Sequence, residues 1–418
     1  MRGTLAAREA RLAYLMLTPT FVIVFMIVLF PVLANFWISI KPVELADLRP
    51  PQPIVRERLR TEVTQPGDDL VIRYQMRSSS QDVAIRDVVL FDTLPPGLTL
   101  TTDEPRCTID DRNLACIFGT WEGGFRENVD LTFATSPAYF EAGAPDPLES
   151  SPTMRGRAPN VLTNFTFTLD NFRRVFANPD FWPSLRITLW YTIFGTLSSI
   201  LLGLFAAQLL DANFVGKGFL RGLFLFPYVA PVIAAAFAWA FLLDPLSGSV
   251  NAVLREYGLV EQAVNFLSRR TTEIDLFGLT IAWPMALSVV ILFEAWRYFP
   301  FAFLFILARF QAIPRDMYEA ADVDGASPLQ RFWFITLPQL VGILSTLFLL
   351  RFIWTFNKFD DIFLLTGGAA GTKTLTVQVY DQAFALADLG AGAAVAVILF
   401  FILAIFMVFY FRYAPEGE

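Results

Sequence analysis

The stretch PRDMYEAADVDGASPLQRFWFITLP, residues 314–338, decides how the whole chain is interpreted. Pro314 suits the first turn of a helix, acidic residues follow it in the early turns, and Gly325 stands where that helix would stop. Ser327 and Pro328 then supply an N-cap and a first helical position for a second helix. The pattern predicts two short helices hinged at a glycine.

Long apolar segments flank this predicted hairpin on both sides. Of the 418 residues, 55% are hydrophobic and 15% aromatic, which is the composition of an α-helical integral membrane protein. A membrane-spanning helix needs about 20 mostly apolar residues. Six segments meet or approach this criterion: residues 14–40, 184–210, 219–243, 281–310, 340–365 and 391–410. The hairpin therefore lies in a loop, residues 311–338, between the fourth and fifth predicted spans.

The first predicted span carries the signal for orientation. Arg2, Arg8 and Arg11 precede it or lie at its start, and basic residues next to a span are typical of the cytoplasmic side. The span is too long for a signal peptide and lacks a small-residue cleavage site, so we expect it to be retained. Six spans then place both termini and the loop 311–338 in the cytoplasm, and the segment after the first span outside.

A polar segment of domain size separates the first and second predicted spans. Between Lys41 and Phe181 the chain has 21 acidic and 15 basic residues, which accounts for most of its formal net charge of −7. We predict three parts: an N-terminus with the first span at 1–40, an extracytoplasmic insertion with its linker at 41–160, and a membrane core at 161–418.

Short alternating segments within the insertion predict strands. A turn and strand at 65–76 are followed by strands at 83–92, 98–101, 113–118 and 127–135. Short strands at this spacing favour a β-sandwich-like domain inserted between helices 1 and 2. Residues 146–159, rich in Pro, Ser and Gly, are predicted to be the linker, which leads to a short amphipathic interfacial helix at 169–176 capped by Asp170.

The two cysteines of the chain, Cys107 and Cys116, flank a turn-rich stretch of the insertion. Such a turn could bring two antiparallel strands opposite each other and let the thiols bridge. We expect a disulfide if the insertion lies in an oxidising compartment. Two reduced, buried cysteines are the alternative.

The composition excludes several kinds of chemistry. The chain has no His, which removes Ser/His/Asp triads, His-ligated zinc and imidazole proton relays. Residues 367–374 superficially resemble a phosphate loop, but Lys373 does not directly follow the last glycine. We therefore expect no enzymatic activity, no metal, no cofactor in this chain and no nucleic-acid partner.

Charged side chains inside membrane spans are costly and usually mark a pathway or a buried ion pair. Two stripes at helical spacing contain them: Glu294, Arg297, Tyr298 and Phe301 in the fourth span, and Arg351, Thr355 and Lys358 in the fifth. Both stripes are predicted to face a polar cavity. In the alternative, Glu294 pairs with Arg297 or Arg351 as a structural tie, and the aromatic residues only pack. The sequence leaves both interpretations open.

Prolines fall inside two of the predicted spans. Pro227 and Pro231 are predicted to kink the third span, and Pro300 to break the fourth, because proline removes a backbone donor from the helix. Simple tolerance of proline in membrane helices is an equally good interpretation.

The hairpin carries a specific resemblance. Glu-Ala-Ala at 319–321, Asp-Gly at 324–325 and Ile-x-Leu-Pro at 335–338 resemble the EAA loop of binding-protein-dependent ABC importer permeases. In that family the loop docks into a groove on the ATP-binding subunit. The resemblance implies that these residues couple the chain to such a subunit: Glu319, Ala320, Ala321, Asp324, Gly325, Ile335, Leu337 and Pro338.

Flanking segments resemble sugar-importer permeases, the group that includes the larger maltose permease. They are residues 169–174, 226–233, 307–314 and 356–368. The resemblance covers the first span and nearly everything from Leu169 onward, but not the sequence of the insertion. It implies a substrate pathway that adds two residues to the stripes: Glu294, Arg297, Tyr298, Phe301, Arg351, Trp354, Thr355, Asn357 and Lys358.

The resemblance also implies partners and a location. The chain would pair with a second permease subunit, two ATP-binding subunits that hold ATP and Mg²⁺, and an extracytoplasmic solute-binding protein in a bacterial inner membrane. The substrate would be an oligosaccharide of the maltose or trehalose kind, held by charge-assisted hydrogen bonds and stacked on aromatic rings.

Two alternatives for function stay open at this point. The positive charges in the spans also permit glycerol phosphate, a polyol or another polar solute. In a different class, the chain is a membrane-anchored receptor that presents its external β-domain, and the loop 319–338 is then dispensable.

Overall fold

The computed structural model describes residues 5–81, 83–276 and 279–413, and the chain separates into two compact units. One unit comprises Met1–Ile40 with Leu169–Glu418, and the other comprises Lys41–Thr168. The insertion therefore extends past the predicted limit at residue 160. The reason is a contact between the two ends of the insertion: the ammonium of Lys41, its first residue, donates a hydrogen bond to the carbonyl of Asn164, close to its last residue.

The first span is one long apolar helical segment. It consists of α1 (Leu5–Val24), a π-helical turn at Phe25–Leu29, and α2 (Phe30–Ser39). Pro31, in the first turn of α2, has no N–H to donate, which accounts for a widened turn just before it. Most of the apolar side chains in this segment are exposed on the chain, as expected of a helix that faces lipid.

The insertion forms two antiparallel four-stranded sheets. Its elements are β1 (Pro53–Leu59), β2 (Asp69–Ser78), β3 (Ile85–Thr93), β4 (Leu98–Leu100), β5 (Cys107–Asp110), β6 (Asn113–Trp121), β7 (Arg126–Thr135), α3 (Pro137–Glu141) and β8 (Thr153–Arg157). The strand orders are β1-β2-β7-β4 and β5-β6-β3-β8. Side chains from both sheets share one apolar core that includes Ile72, Leu90 and Trp121, which is the arrangement of a β-sandwich.

The strand predictions for the insertion need three additions. Strands β1 and β5 were not predicted, and β8 lies inside the segment predicted to be a linker. Strand β8 pairs with β3, with Leu90 opposite Met154, so this stretch is held by a long-range ladder that local composition does not reveal. Cys107 and Cys116 are directly opposite each other on β5 and β6 and are joined in a disulfide.

The membrane unit continues after the insertion with short and long helices. Its elements are α4 (Asp170–Ala177), α5 (Phe181–Asp211), α6 (Lys217–Val229), α7 (Val232–Leu242), α8 (Ser249–Glu256), the hairpin β9 (Thr272–Leu276) and β10 (Leu279–Trp283), α9 (Met285–Ala312), α10 (Arg315–Val323), α11 (Pro328–Arg331), a π-helical turn (Phe332–Thr336), α12 (Leu337–Phe356), α13 (Asp360–Thr366), α14 (Leu375–Tyr380), a second such turn (Asp381–Ala385) and α15 (Leu389–Tyr413). Asp170 is the first residue of α4 rather than its cap.

Within the described residues, five helical segments are long and apolar enough to cross a membrane, and α6 with α7 forms a bent pair. Helices α5 and α9 pack closely because Gly203 has no side chain. A Cβ atom at Gly203 would lie 2.7 Å from Ala302 Cβ and 2.8 Å from the Phe303 nitrogen. This helix pair is the frame on which the charged residues of α9 are held.

Three predictions about the spans are wrong in detail. The third predicted span is divided at Ala230 and Pro231 by a bend of 95° between α6 and α7, far more than a kink. Pro300 does not break α9, which runs on unbroken because a helix survives the loss of one backbone hydrogen bond. The fifth span ends at Phe356 rather than at residue 365.

Candidate substrate pathway and coupling loop

The centre of the candidate site is a buried ion pair between two membrane helices. Glu294 on α9 and Arg351 on α12 form a salt bridge, and their side chains are 0% and 1% exposed. Thr355, one turn after Arg351, donates its hydroxyl to Glu294 Oε1 at 3.0 Å. Arg351 in turn donates to the Thr355 hydroxyl at 3.1 Å. The sequence left Arg297 and Arg351 open as ion-pair partners of Glu294, and in the structure the partner is Arg351.

A third helix completes the coordination of this carboxylate. Tyr191 on α5 donates its hydroxyl to Glu294 Oε2 at 3.0 Å and is itself buried. Gly195, on the same face of α5, makes room for the carboxylate, since a Cβ there would lie 3.1 Å from Glu294 Cγ. Both carboxylate oxygens therefore have partners, which a buried charge requires.

Beside the ion pair, Tyr298 links a second set of charges to the first. The Lys358 ammonium donates a hydrogen bond to the Tyr298 hydroxyl and lies 3.6 Å from the carboxylate of Asp361, which is fully buried. The Arg351 guanidinium lies 4.2 Å from the centroid of the Tyr298 ring, and the Lys358 ammonium lies 4.4 Å from it. Such distances allow cation–π attraction to the ring.

Lys358 reaches this cluster from a position the spacing did not predict. Helix α12 ends at Phe356, so Lys358 is not on the helix face that carries Arg351 and Thr355. The chain turns at Asn357, whose side-chain amide donates to the Ile353 carbonyl at 2.9 Å. Lys358 then points back to Tyr298, so it reaches the cluster through a turn and not through the helical spacing on which the prediction was based.

Arg297 does not pair with Glu294. It binds the backbone at the break between α6 and α7. Its guanidinium donates to the backbone carbonyl of Ala230 at 3.0 Å. Ala230 has an extended backbone and Pro231 follows it, so the carbonyl lies where regular helix bonding stops. Arg297 thus stabilises the bend by satisfying a backbone group that the bend leaves open.

An aromatic surface adjoins these charges. Tyr228 on α6 lies 6.1 Å, centroid to centroid, from both Tyr298 and Phe301, and the Phe301 ring lies 5.2 Å from that of Trp354. Trp354 is 45% exposed and Tyr228 is 41% exposed. We call Tyr228, Tyr298, Phe301 and Trp354 the aromatic surface. It gives the membrane unit a broad face of aromatic rings, next to the cations Arg297 and Lys358.

Sequence reasoning missed three members of this site. Tyr191 and Tyr228 are single polar aromatics in apolar helices, and nothing in their spacing sets them apart from packing residues. Asp361 follows Lys358 by three residues, and that spacing of opposite charges was a usable signal.

The predicted coupling hairpin has the expected shape. Helix α10 ends before Gly325, which has a φ of +72°, a conformation that favours glycine. Ser327 caps α11 by a reciprocal pair of hydrogen bonds with Gln330, and Arg331 forms a salt bridge back to Asp322. The two short helices are therefore closed into one projection by their own side chains.

The outer surface of this hairpin is exposed and partly apolar. Glu319, Ala320, Asp324, Gly325 and Pro338 are exposed, while Ala321, Ile335 and Leu337 are partly buried. Three apolar side chains near the motif, which the sequence did not single out, are strongly exposed: Val323 at 89%, Leu329 at 68% and Phe334 at 78%. Large apolar side chains exposed on a polar hairpin are typical of a surface that another protein covers.

Apolar helices long enough to cross a membrane, a buried interhelical ion pair and an exposed helical hairpin together are the architecture of a multi-pass membrane protein. The comparison with protein families identifies its class. Residues 199–416 match the model for the "binding-protein-dependent transport system inner membrane component". The chain belongs to this family, and the match lies entirely in the membrane unit.

Named relatives support the same conclusion. The chain is 36% identical over 252 residues to the inner membrane ABC transporter permease protein YcjO of Escherichia coli, covering 59% of this chain and 78% of that one. It is 31% identical to the sn-glycerol-3-phosphate transport system permease UgpA of Agrobacterium fabrum, covering 63% and 85%. It is 33% identical to the trehalose/maltose permease MalF of Thermococcus litoralis, covering 58% and 78%.

The fold also resembles a solved transporter. A chain of a bacterial ABC transporter for the import of the acidic polysaccharide alginate superimposes with a TM-score of 0.52 at 20% identity, covering 61% of this chain and 85% of that one. At this identity the likeness concerns the fold alone. Together the comparisons make the chain a multi-pass inner-membrane permease subunit of an ABC importer.

Proposed function

We propose that this permease subunit imports sugars, with an oligosaccharide of the maltose or trehalose kind as substrate. A relative named for trehalose/maltose transport supports this assignment. The observation that carries it is the aromatic surface, because exposed aromatic rings stack on the apolar faces of sugar rings. Lys358 and Arg297 lie at its edge and can donate charge-assisted hydrogen bonds to hydroxyl groups.

Within this proposal the nine predicted pathway residues take different roles. Trp354, Phe301 and Tyr298 provide the stacking surface, and Lys358 and Arg297 provide donors. Asn357, exposed at the turn, adds an amide. The remaining three, Glu294, Arg351 and Thr355, hold the helices that present this surface, because one salt bridge and two hydrogen bonds join them to one another.

The energy for transport would come from ATP and Mg²⁺ bound by two partner subunits. In our proposal one of them receives α10 and α11 through Glu319, Ala320, Ala321, Asp324 and Gly325, while Ile335, Leu337 and Pro338 join the loop to α12. A second permease would complete the pathway, and a solute-binding protein would deliver the sugar. The exposed Val323, Leu329 and Phe334 support a protein partner at this hairpin.

The proposed topology has six spans, with α6 and α7 counted together as one. The basic residues before the first span support a cytoplasmic N-terminus, and the segment Lys41–Thr168 then lies on the extracytoplasmic side. The disulfide between Cys107 and Cys116 supports this placement, since disulfides persist in oxidising compartments.

Replacing the hinge glycine tests the proposed coupling. Gly325→Val should abolish ATP-dependent sugar uptake in vesicles containing the whole importer, because a β-branched residue is strained at positive φ. Gly258→Val is a matched control: Gly258 has a φ of +64°, and at both glycines an added Cβ would meet no other atom within 4 Å. Equal loss of uptake in both variants would refute a specific coupling role. Unchanged uptake in Gly325→Val would refute coupling altogether and favour a receptor whose loop is dispensable.

The substrate assignment is tested on the solute-binding protein of the same system. Calorimetry with malto-oligosaccharides, trehalose and glycerol 3-phosphate should show binding of a saccharide. Glycerol phosphate is the second candidate, because two cations border the aromatic surface and a relative is named for glycerol phosphate transport. Binding of glycerol phosphate with no response to any saccharide would overturn the sugar assignment.

A further inference from the structure

The outer face of the sheet β1-β2-β7-β4 in the insertion collects arginine side chains. Along these strands, residues that point into the core are mostly buried, and the alternate residues are mostly exposed. Five arginines occupy outward positions: Arg56, Arg58, Arg73, Arg77 and Arg126. We call these five the arginine face. Because the insertion has more acidic than basic residues, its overall composition does not explain this concentration.

The strand register sets like charges directly opposite each other on this face. Arg58 is opposite Arg73 on β1 and β2, and Arg77 is opposite Arg126 on β2 and β7. Directly opposed residues have Cβ atoms about 5 Å apart, and like charges at that separation destabilise a sheet. The opposition of Arg77 and Arg126, which no carboxylate of the described residues relieves, calls for an explanation other than stability.

Only one of these charges is neutralised within the described residues. Asp130 binds Arg73 through two hydrogen bonds of 2.6 and 2.5 Å. The other four arginines form no ion pair with a carboxylate in the described part of the chain. The face therefore presents about four uncompensated positive charges to solvent.

Amide side chains lie between the arginines in a shallow recess. In the strand register, Arg56 is opposite Gln75, and Gln75 is opposite Asn128. These residues line a cavity of about 430 Å³ together with Arg77 and Arg126. Guanidinium groups bind carboxylate, sulfate or phosphate in a bidentate manner, and amides can hydrogen-bond to hydroxyl groups.

We propose that the arginine face binds a polyanionic saccharide. Neighbouring strands are about 4.8 Å apart and alternate residues about 6.8 Å apart, so the arginines form a grid suited to repeated charges along a polymer. A protein partner or a lipid surface would call for exposed apolar groups. Those lie on the opposite sheet, where Phe91 is 40% exposed and Ile117 65% exposed. The proposal does not depend on which solute the membrane unit transports.

Binding can be measured on the whole importer in nanodiscs of neutral lipid. The probes are polygalacturonate oligosaccharides and neutral malto-oligosaccharides of the same length. Polygalacturonate should bind, more weakly as salt is added, because salt screens exposed charges. The double variant Arg77→Gln/Arg126→Gln should bind it at least about tenfold more weakly, because charge-assisted hydrogen bonds are lost.

A matched variant separates a specific site from general charge. Arg86→Gln/Arg155→Gln removes two exposed arginines from the other sheet and should leave the affinity for polygalacturonate unchanged. Hydrogen exchange should show protection of β2 and β7 by polygalacturonate in the wild type and not in Arg77→Gln/Arg126→Gln. Without the probe, this double variant should exchange no faster than the wild type, which shows that it is folded.

Three results would overturn the proposal. The first is an equal loss of affinity for polygalacturonate in both double variants. The second is equal binding of the neutral and the charged oligosaccharide. The third is that Arg77→Gln/Arg126→Gln binds the solute-binding protein more weakly but binds polygalacturonate as the wild type does. Uptake of the transported sugar is measured separately, so failure of this site and failure of the proposed transport function give different results.

Discussion

Charges gather in two regions of this chain, and the two regions obey opposite rules. In the membrane unit, Glu294 and Arg351 are buried, and each faces an opposite charge. On the insertion, Arg77 and Arg126 are exposed, and each faces a like charge. Burial makes an unpaired charge so costly that pairing is obligatory, whereas water screens exposed charges and permits repulsion. A buried ion pair therefore indicates a contact that holds the fold together. A group of exposed, unpaired charges indicates a binding site for a ligand of opposite charge.

The largest effect is expected from breaking the buried pair on one side. Glu294→Leu leaves Arg351 buried without a counter-charge and should lower the stability of the permease by about 3–5 kcal/mol. Thermal unfolding in detergent and the amount of protein in the membrane measure this loss. The double variant Glu294→Leu/Arg351→Leu should recover both, because apolar residues can replace a buried pair at little cost.

Transport by the double variant sharpens the comparison further. If the pair is a structural tie, sugar uptake should return together with stability. A double variant that is folded and abundant but does not transport sugar would show that Glu294 or Arg351 contacts the substrate, contrary to the role proposed above.

A smaller loss of stability is expected from breaking the ion pair between Lys358 and Asp361, in which the charged atoms are farther apart. Lys358→Met removes the ion pair of the buried Asp361 carboxylate, in which the charged atoms are 3.6 Å apart. The loss of stability should be about 1–3 kcal/mol, seen as a lower unfolding temperature of the permease. Lys373→Met is the matched control, because Lys373 pairs with Asp381 at 2.8 Å but both side chains are about a third exposed. Its effect should stay below about 1 kcal/mol; equal effects would contradict the importance of burial.

Glu57 in the insertion is an intermediate case, half-buried and without an ion pair to any residue that the structure describes. Burial, and then the nearby Asp92 and Asp146, raise the pKa of its carboxyl group to about 7. The folded domain therefore holds a proton that the unfolded chain releases at lower pH. The contribution of Glu57 to the stability of the domain should therefore be fully present below about pH 4.5 and should be lost as the pH rises to 7. With screening by solvent, the decline from pH 5 to pH 8 should be about 1 kcal/mol.

Hydrogen exchange of β1 and β2, corrected for intrinsic rates, measures this pH dependence. Glu57→Gln should remove it and should make the domain more stable than the wild type at pH 8. Glu62→Gln, which changes an exposed carboxyl group on the same domain, is the control and should behave like the wild type. A wild-type domain with the same stability at both pH values would contradict the prediction.

The smallest effect is expected from relieving repulsion on the arginine face. Arg77→Gln alone should stabilise the insertion by about 0.5 kcal/mol in low salt, because it removes one like-charge pair. Added salt should reduce this gain. Slower hydrogen exchange in β2 and β7 measures it, and destabilisation by Arg77→Gln would show that the arginines support the fold.

Much of the fold could be predicted from the sequence because its signals are local. The apolar segments gave four of the six predicted spans nearly in place, and the Gly, Ser and Pro of the hairpin marked its two helices. The bend at Ala230 and Pro231 was underestimated, because a proline shows where a helix is weak but not how far neighbouring elements bend it. Strand β8 was missed because its partner is distant in the chain.

The sequence by itself determined the class of protein, the two-helix hairpin and the list of charges in the spans, since composition, motifs and short-range spacing encode these features. Only the tertiary structure decided which partner each charge takes. Spacing places Glu294, Arg297 and Arg351 on helix faces, but the rotation and distance between helices determine that Glu294 meets Arg351 while Arg297 meets Ala230. The arginine face has the same origin, because strand register is set by contacts between distant segments.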